Sequence, residues 1–235
     1  TATLNTSTNT ITYALDNSAT ATQNLNQFQI ATELFQVTTQ DAAGNSTSQS
    51  LIFSIIGNND APVITAGAQS VAIVEAGASS GGTSSATVSL TLTDADGTTP
   101  IYDSTFLTLF GWATSDTITY TKTGTYGSAS LNTGNGVITY TLNNTDADTQ
   151  ALSAGASATD TFSITISDGM VNTTLQVSFA ITGSNDAPTS QNISAAVTEN
   201  GSRAFSLSDF SFSDVDSGDA LASVRLVTLP GTGAI

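Results

Sequence analysis

Apolar and polar residues alternate along much of the chain. Phe162, Ile164 and Ile166 do so in TDTFSITISDG, Leu175, Val177, Phe179 and Ile181 in TLQVSFAITG, and Val88, Leu90 and Leu92 in ATVSLTLTDADG. The same period recurs in VITYTLNN (Ile138, Tyr140, Leu142) and SLIFSIIG (Leu51, Phe53, Ile55). A period of two, rich in β-branched and aromatic residues, predicts strands with one buried face. NTGNG at 132–136 separates SASL from VITYTL and predicts a hairpin turn. No segment shows a sustained helical period with caps. Short strands separated by turn residues every ~8–12 positions predict an all-β chain of β-sandwich type.

The strands also recur in order. ITYALDNSATATQNL (11–25) aligns with ITYTLNNTDADTQAL (138–152), and ELFQVTTQD (33–41) with DTFSITISD (160–168), both at an offset of 127. One extra residue in the first copy, after Asp41, makes the offset 126, and GNNDAP (57–62) then meets GSNDAP (183–188). Past the second phrase, VTENGSRAFSLSDFSFSDVDSGD (197–219) parallels IVEAGASSGGTSSATVSLTLTDADG (73–97): an acid, a glycine, a strand, then Asp-x-Asp. A self-similar period of this kind predicts a tandem array. Residues 1–60 read as the C-terminal half of one repeat, 61–188 as a complete repeat, and 189–235 as the N-terminal half of a further one.

Charge narrows the chemistry. Nineteen acidic residues face three basic ones, Lys122, Arg203 and Arg225, for a formal charge of −16. That balance argues against nucleic acid, whose phosphates need Lys and Arg, and by the same sign against an anionic membrane surface. No apolar run approaches the ~18 residues of a membrane span. The natural partner for so much carboxylate is a cation. Cysteine and histidine are absent, so disulfides and thiol or imidazole metal sites are excluded. Oxygen ligands remain, and with them the hard ions Ca²⁺ or Mg²⁺. Asp94-Ala95-Asp96-Gly97 puts two carboxylates on one side of an extended loop, and Asp214-Val215-Asp216 repeats it with Gly218 following. Aspartate and glycine are ordinary turn residues; recurrence at the same place in the repeat, beside the NDAP linker, favours a metal site.

Residues 124–188 closely resemble the tandem VCBS and cadherin-like repeats of giant bacterial surface proteins, the RTX-type adhesins exported by type I secretion. The likeness extends over 9–62, 63–97 and 189–220, and residues 98–117 depart from it. It implies tandem cadherin-like or immunoglobulin-like Greek-key β-sandwiches, extracellular and cell-surface, joined by short Ca²⁺-binding linkers. It further implies a stiffened spacer holding a distal binding domain, with its glycan or cell-surface ligand, away from the cell for adhesion or biofilm. By likeness to cadherin linkers, Asp94, Asp96 and Asp168 meet Asp60 at the first junction. Asp214 and Asp216 meet Asp186 at the second, where Glu75, Asp146 and Asp148 reach in from the middle repeat. Glu199 serves a further junction. Asp146 and Asp148 face Ala19 and Ala21 in the first copy, so that copy lacks them. Asp160, aligned with Glu33, reads equally as a solvated turn acid or a ligand.

Two other readings compete. FLTLFGWAT, with Trp112, Phe106 and Phe110, is either a core strand with a plug or a sticky loop over 98–117 that binds glycan or protein. The two half-repeats could also complete one another between copies of the chain by strand addition, giving a filament. Catalysis is not expected, because no Ser-His-Asp or Cys-His arrangement can form. A glycosidase-like carboxylate pair explains the recurring acids less well than a metal does.

Overall fold

The computed structural model describes residues 1–228; residues 229–235, the end of the predicted third repeat, lie outside the described residues. As the alternation predicts, the fold is all-β. In the first part of the chain, strands occupy Ala2–Asn5 (β1), Thr10–Tyr13 (β2), Ile30–Gln40 (β3), Ser46–Ile56 (β4), Val63–Ala66 (β5), Ile73–Val74 (β6) and Ser85–Thr93 (β7). Further along are Ile101–Tyr102 (β8), Ala113–Thr114 (β9), Thr119–Thr123 (β10), Gly127–Asn132 (β11), Val137–Leu142 (β12), Ser157–Ser167 (β13) and Asn172–Thr182 (β14). Helices are short: Thr20–Gln23 (α1), Ser104–Leu109 (α2), Ala147–Gln150 (α3) and a 3-10 turn at Leu207–Asp209. A six-stranded sheet runs β5-β7-β12-β11-β10-β9 and a four-stranded one β6-β14-β13-β8, with β1-β2 and β3-β4 as separate pairs.

The chain divides into two compact units. One holds Thr1–Ala66, Leu90–Phe110 and Ser163–Leu175; the other holds Gly67–Ser89, Gly111–Phe162 and the chain from Gln176 onward. In the first, β3 and β4 pair along their full length, from Ile30 with Ile56 to Gln40 with Ser46. β5 pairs with the end of β7, Val63 opposite Thr93, and β8 with the end of β13, Tyr102 opposite Ile166. In the second, β12 lies between β11 and the start of β7, and β6 runs parallel to β14, Ile73 beside Ile181. The NTGNG hairpin is β11–β12, closed by Asn132 opposite Val137.

The repeat reappears as geometry. β1 and β2 pair Ala2 with Tyr13 as β11 and β12 pair Ala129 with Tyr140. Asn5 Oδ1 accepts from the N–H groups of Ser7 and Thr8 at 3.0 and 3.2 Å, as Asn132 Oδ1 does from Gly134 and Asn135 at 2.9 and 3.2 Å. The correspondence therefore reaches back to Ala2. Tyr13 stacks on Phe53 at 4.6 Å and 20°, with Phe35 at 6.1 and 5.8 Å from the two rings. Tyr140 likewise stacks on Phe179 at 5.0 Å and 19°, with Phe162 at 6.0 and 6.2 Å. Here side chains of the six-stranded and four-stranded sheets meet, and these three rings are fully buried.

Asp160 is neither a solvated turn acid nor free to ligate. It is buried, and its carboxylate accepts from Thr125 N–H at 2.8 Å, Tyr126 N–H at 3.0 Å and the Tyr140 hydroxyl at 2.7 Å. Burial, then the bond to Asp160, pushes the Tyr140 hydroxyl far above its ordinary value.

Residues 98–117 differ from the single strand and plug expected of them. They form β8, α2 and β9, because Asp103 caps a helix by accepting from Thr105 and Phe106 N–H at 2.9 and 3.1 Å. Trp112 is 2% exposed and sits 5.8 Å from the Phe162 ring, so the indole belongs to the core and not to a recognition surface. The strand expected near 205–213 is also absent. Ser206 and Asp209 form a capping box, with Ser206 N–H on Asp209 Oδ2 at 2.7 Å, and this curls SLSD into the 3-10 turn. Among the described residues, the Thr189–Ser213 bridge stands at the position where β5 and β7 pair Val63 with Thr93.

Candidate functional site

The first junction lies within the first unit. β7 ends at Thr93, and Gly97, at φ 76°, turns the chain after the paired acids. Asp96 N–H donates to Asp94 Oδ1 at 2.9 Å. Asp60 N–H, from the linker phrase, donates to Asp96 Oδ2 at 2.8 Å. Asn59 joins the parts: its Nδ2 donates to Asp60 O at 2.6 Å and Asp168 Oδ2 at 2.8 Å, and its N–H donates to Gln27 Oε1 at 2.7 Å. Asp168 Oδ1 accepts from Met170 and Val171 N–H, both at 2.7 Å. These bonds link Asp94, Asp96 and Asp60, and Asn59 ties Asp60 to Asp168.

The second junction, within the second unit, repeats the bonds. Asp216 N–H donates to Asp214 Oδ1 at 3.0 Å, and Asp186 N–H to Asp216 Oδ2 at 2.8 Å. Asn185 Nδ2 donates to Asp186 O as Asn59 does to Asp60 O. Gly218, φ 90°, takes the turn. Ser217 N–H donates to Ala151 O at 3.1 Å, fastening the acidic loop to the middle repeat. Glu75 is fully buried, accepting from Ser184 N–H at 3.2 Å and Gln150 Nε2 at 3.4 Å.

Gly77 lets this segment close. A Cβ there would overlap the Asn185 carbonyl oxygen and lie 2.6 Å from Ser184 Oγ. Gly77→Ala is therefore expected to destabilise the protein by about 1–3 kcal/mol, measurable by denaturant unfolding.

The electrostatics follow from burying like charges together. Burial, then the charges of Asp96, Asp168 and Asp60, raise the Asp94 carboxyl above its ordinary value. Burial, then Asp216 and Asp214, raise Asp186. Burial raises Glu75, with Asp186 and Asp216 adding to it. Burial also pushes Asp168 upward, but the N–H groups of Val171 and Met170 and the Asn59 amide outweigh it and hold Asp168 below its ordinary value.

Four carboxylate oxygens are buried without a hydrogen-bond partner among the described residues: Asp94 Oδ2, Asp96 Oδ1, Asp186 Oδ2 and Asp216 Oδ1. Buried anionic oxygens left unpaired are costly. Among the described residues, only the second junction brings three carboxylate oxygens close enough together to hold a metal ion. At the second junction the carboxylate oxygens of Asp214, Asp216 and Asp219 lie within 4.8 Å of one another.

Other expected ligands fall elsewhere. Asp146 caps α3, its Oδ1 accepting from Asp148 N–H at 3.0 Å, and Asp148 is exposed in the first turn of that helix. The segment reaches the second junction instead through Gln150 and through Asn144, whose Oδ1 accepts from Ala76 N–H at 3.0 Å. Glu199, expected at a further junction, is exposed in a turn. Asp219 was not expected. Its signal was the acid directly after Gly218, for which the first Asp-x-Asp loop has no counterpart. Gln150 was signalled by its alignment with Gln23. No family model, curated protein or solved structure matches the chain.

Proposed function

We propose that the chain is a run of tandem β-sandwich repeats whose junctions bind Ca²⁺, serving as an extracellular spacer in a bacterial surface adhesin of the VCBS and RTX-like kind. One observation carries this reading: the same loop-to-linker hydrogen bonds occur at both junctions, and each leaves buried carboxylate oxygens unpaired. Asp60, Asp94, Asp96 and Asp168 would hold the ion at the first junction, and Asp186, Asp214, Asp216 and Asp219, beside Glu75, at the second. The bound ion would supply positive charge where the carboxylates otherwise repel. The protein's part is to present oxygens already oriented by Asn59, Asn185 and the loop N–H groups, so that little chain order remains to be lost on binding. A linker held on both sides bends less, which is what a spacer needs. Affinity in the ~10⁻⁴–10⁻³ M range of extracellular modules leaves such sites empty in a cytoplasm and filled outside.

Calorimetric titration of the whole chain with Ca²⁺ tests this. Asp96→Asn and Asp216→Asn should each remove one set of sites and leave the other. Equal binding by the double variant and the parent chain would sink the reading.

A further inference from the structure

We propose that residues 69–78 form a tension clasp. They bind the last strand of the middle repeat and the linker beyond it, so that a pull along the chain shears the two segments past one another instead of peeling them apart. β6 runs parallel to β14, with Ile73 beside Ile181 and Val74 beside Thr182, and Glu75 N–H donates to Thr182 O at 3.0 Å. The parallel sense decides the mechanics. A pull drags β6 toward its own start and β14 toward its own end, so every bond between them is loaded at once. Strands of opposite sense would be drawn from the same end, and their bonds would fail one by one.

β6 itself has only two residues, and its neighbours lengthen the contact in both directions. Before it, the Gln69 amide stands in for a neighbouring strand. Its Oε1 accepts from Ala180 N–H at 3.0 Å, and its Nε2 donates to Ala180 O at 3.3 Å and to Val71 O at 2.8 Å. One side chain thus makes to Ala180 the two bonds that an antiparallel partner residue makes. After β6, the Glu75 carboxylate accepts from Ser184 N–H at 3.2 Å, and Ala78 N–H donates to Asn185 O at 2.7 Å. Ala180, Thr182, Ser184 and Asn185 are therefore bound in succession by one short segment. Ser70 moors that segment to β7: its N–H donates to Thr87 O and its Oγ accepts from Thr87 N–H, both at 2.9 Å. Every residue of the clasp lies within the complete repeat at 61–188. The spacer reading supplies the reason for a pull, and the clasp rests on that reading for nothing else.

Stretching single molecules of the 1–235 chain from its two ends, at constant force and with chelator, tests it. Rupture of the middle repeat is recognised by a gain of about 400 Å, the reach of its extended residues less the folded span. Gln69→Ala removes both bonds to Ala180 and should shorten the lifetime of the folded repeat about 10-fold, because forced rupture follows the unfolding rate. Gln69→Glu keeps the acceptor for Ala180 N–H and should fall between. Ser85→Ala is the control. It deletes a bond between β7 and β12, from Ser85 Oγ to Tyr140 O at 2.9 Å, that is off the sheared line. Denaturant unfolding at rest should show it weakened, while its lifetime under force stays within about 2-fold of the parent's. A lifetime unchanged by Gln69→Ala, or shortened no more than by Ser85→Ala, overturns the inference. Gln69 lies outside the acidic clusters, so Ca²⁺ titration of the same variants reads the proposed function separately. A chain that binds no Ca²⁺ yet loses lifetime with Gln69→Ala keeps the clasp and sinks the cation-stiffened spacer.

Discussion

Adding about 10 mM Ca²⁺ to the cation-free chain is expected to raise Tm by on the order of 10 °C, and to reverse the way Tm responds to acid. The first part follows from mass action: an excess of about 10- to 100-fold over Kd contributes about 1.4–2.7 kcal/mol per site, and two sites are proposed. The second part follows from the direction of the pKa shifts. Without cation, Asp94, Asp186 and Glu75 hold their protons more tightly in the folded chain than in the unfolded one. For a carboxyl raised on folding, the stabilising contribution is present at low pH and is lost as pH rises through the folded value. The cation-free protein should therefore gain stability as pH falls from neutrality toward the ordinary carboxyl range. Asp168 and Asp41, held low in the fold, act the other way. Their contribution is present above their ordinary 3.8 and is lost only as pH falls below it. With Ca²⁺ bound the ligands must stay deprotonated, so acid should destabilise over the interval in which it stabilises the cation-free form. Scanning calorimetry from about pH 7 to about pH 4, with chelator and with Ca²⁺, reads both slopes. Parallel slopes would rule out the carboxylate clusters as the site of binding.

Asp160→Ala is expected to cost about 3–5 kcal/mol and lower Tm by on the order of 10 °C, whatever the cation. Three donors converge on this carboxylate, two of them backbone N–H groups of the loop before β11. Removing it leaves those donors facing a hole among apolar rings. Gly124 lies against the carboxylate so closely that a Cβ there would overlap it. Tyr140→Phe deletes only the hydroxyl and should cost about 1–2 kcal/mol. Equilibrium unfolding of both variants separates the two. A loss for Asp160→Ala no larger than that for Tyr140→Phe would mean that the backbone bonds add nothing.

The strands were legible because each buries one face, and the period of two records that directly. Phe162, Ile164 and Ile166 point inward, as their spacing predicts. The acidic loops were legible because they recur with their linker. The helices were not: α1, α3 and α2 last only four to six residues, too short to print a period, and α2 is decided by one Asp103 side chain. The hairpin at 1–13 was hidden for a different reason. Its left-handed turn residue is Asn9 (φ 54°), where the later copy announces the turn with Gly136 (φ 68°). Phe28 (φ 64°) similarly stands where the middle repeat has Gly155 (φ 76°). The backbone shape was kept while the residue that signals it changed. Asp146 misled because an acid at a helix start serves the N–H groups of its own turn, and composition cannot tell that from a ligand.

At both junctions the bond that seats the linker comes from a main-chain N–H, of Asp60 or of Asp186, onto the second acid of the loop that follows. Both junctions therefore have the same plug and the same socket. Cutting out one repeat, or pasting in another, brings together ends that already match, with no new surface to be selected. Under the proposed spacer reading, the number of repeats could then change by simple duplication or loss, varying reach without altering the chemistry of any single connection.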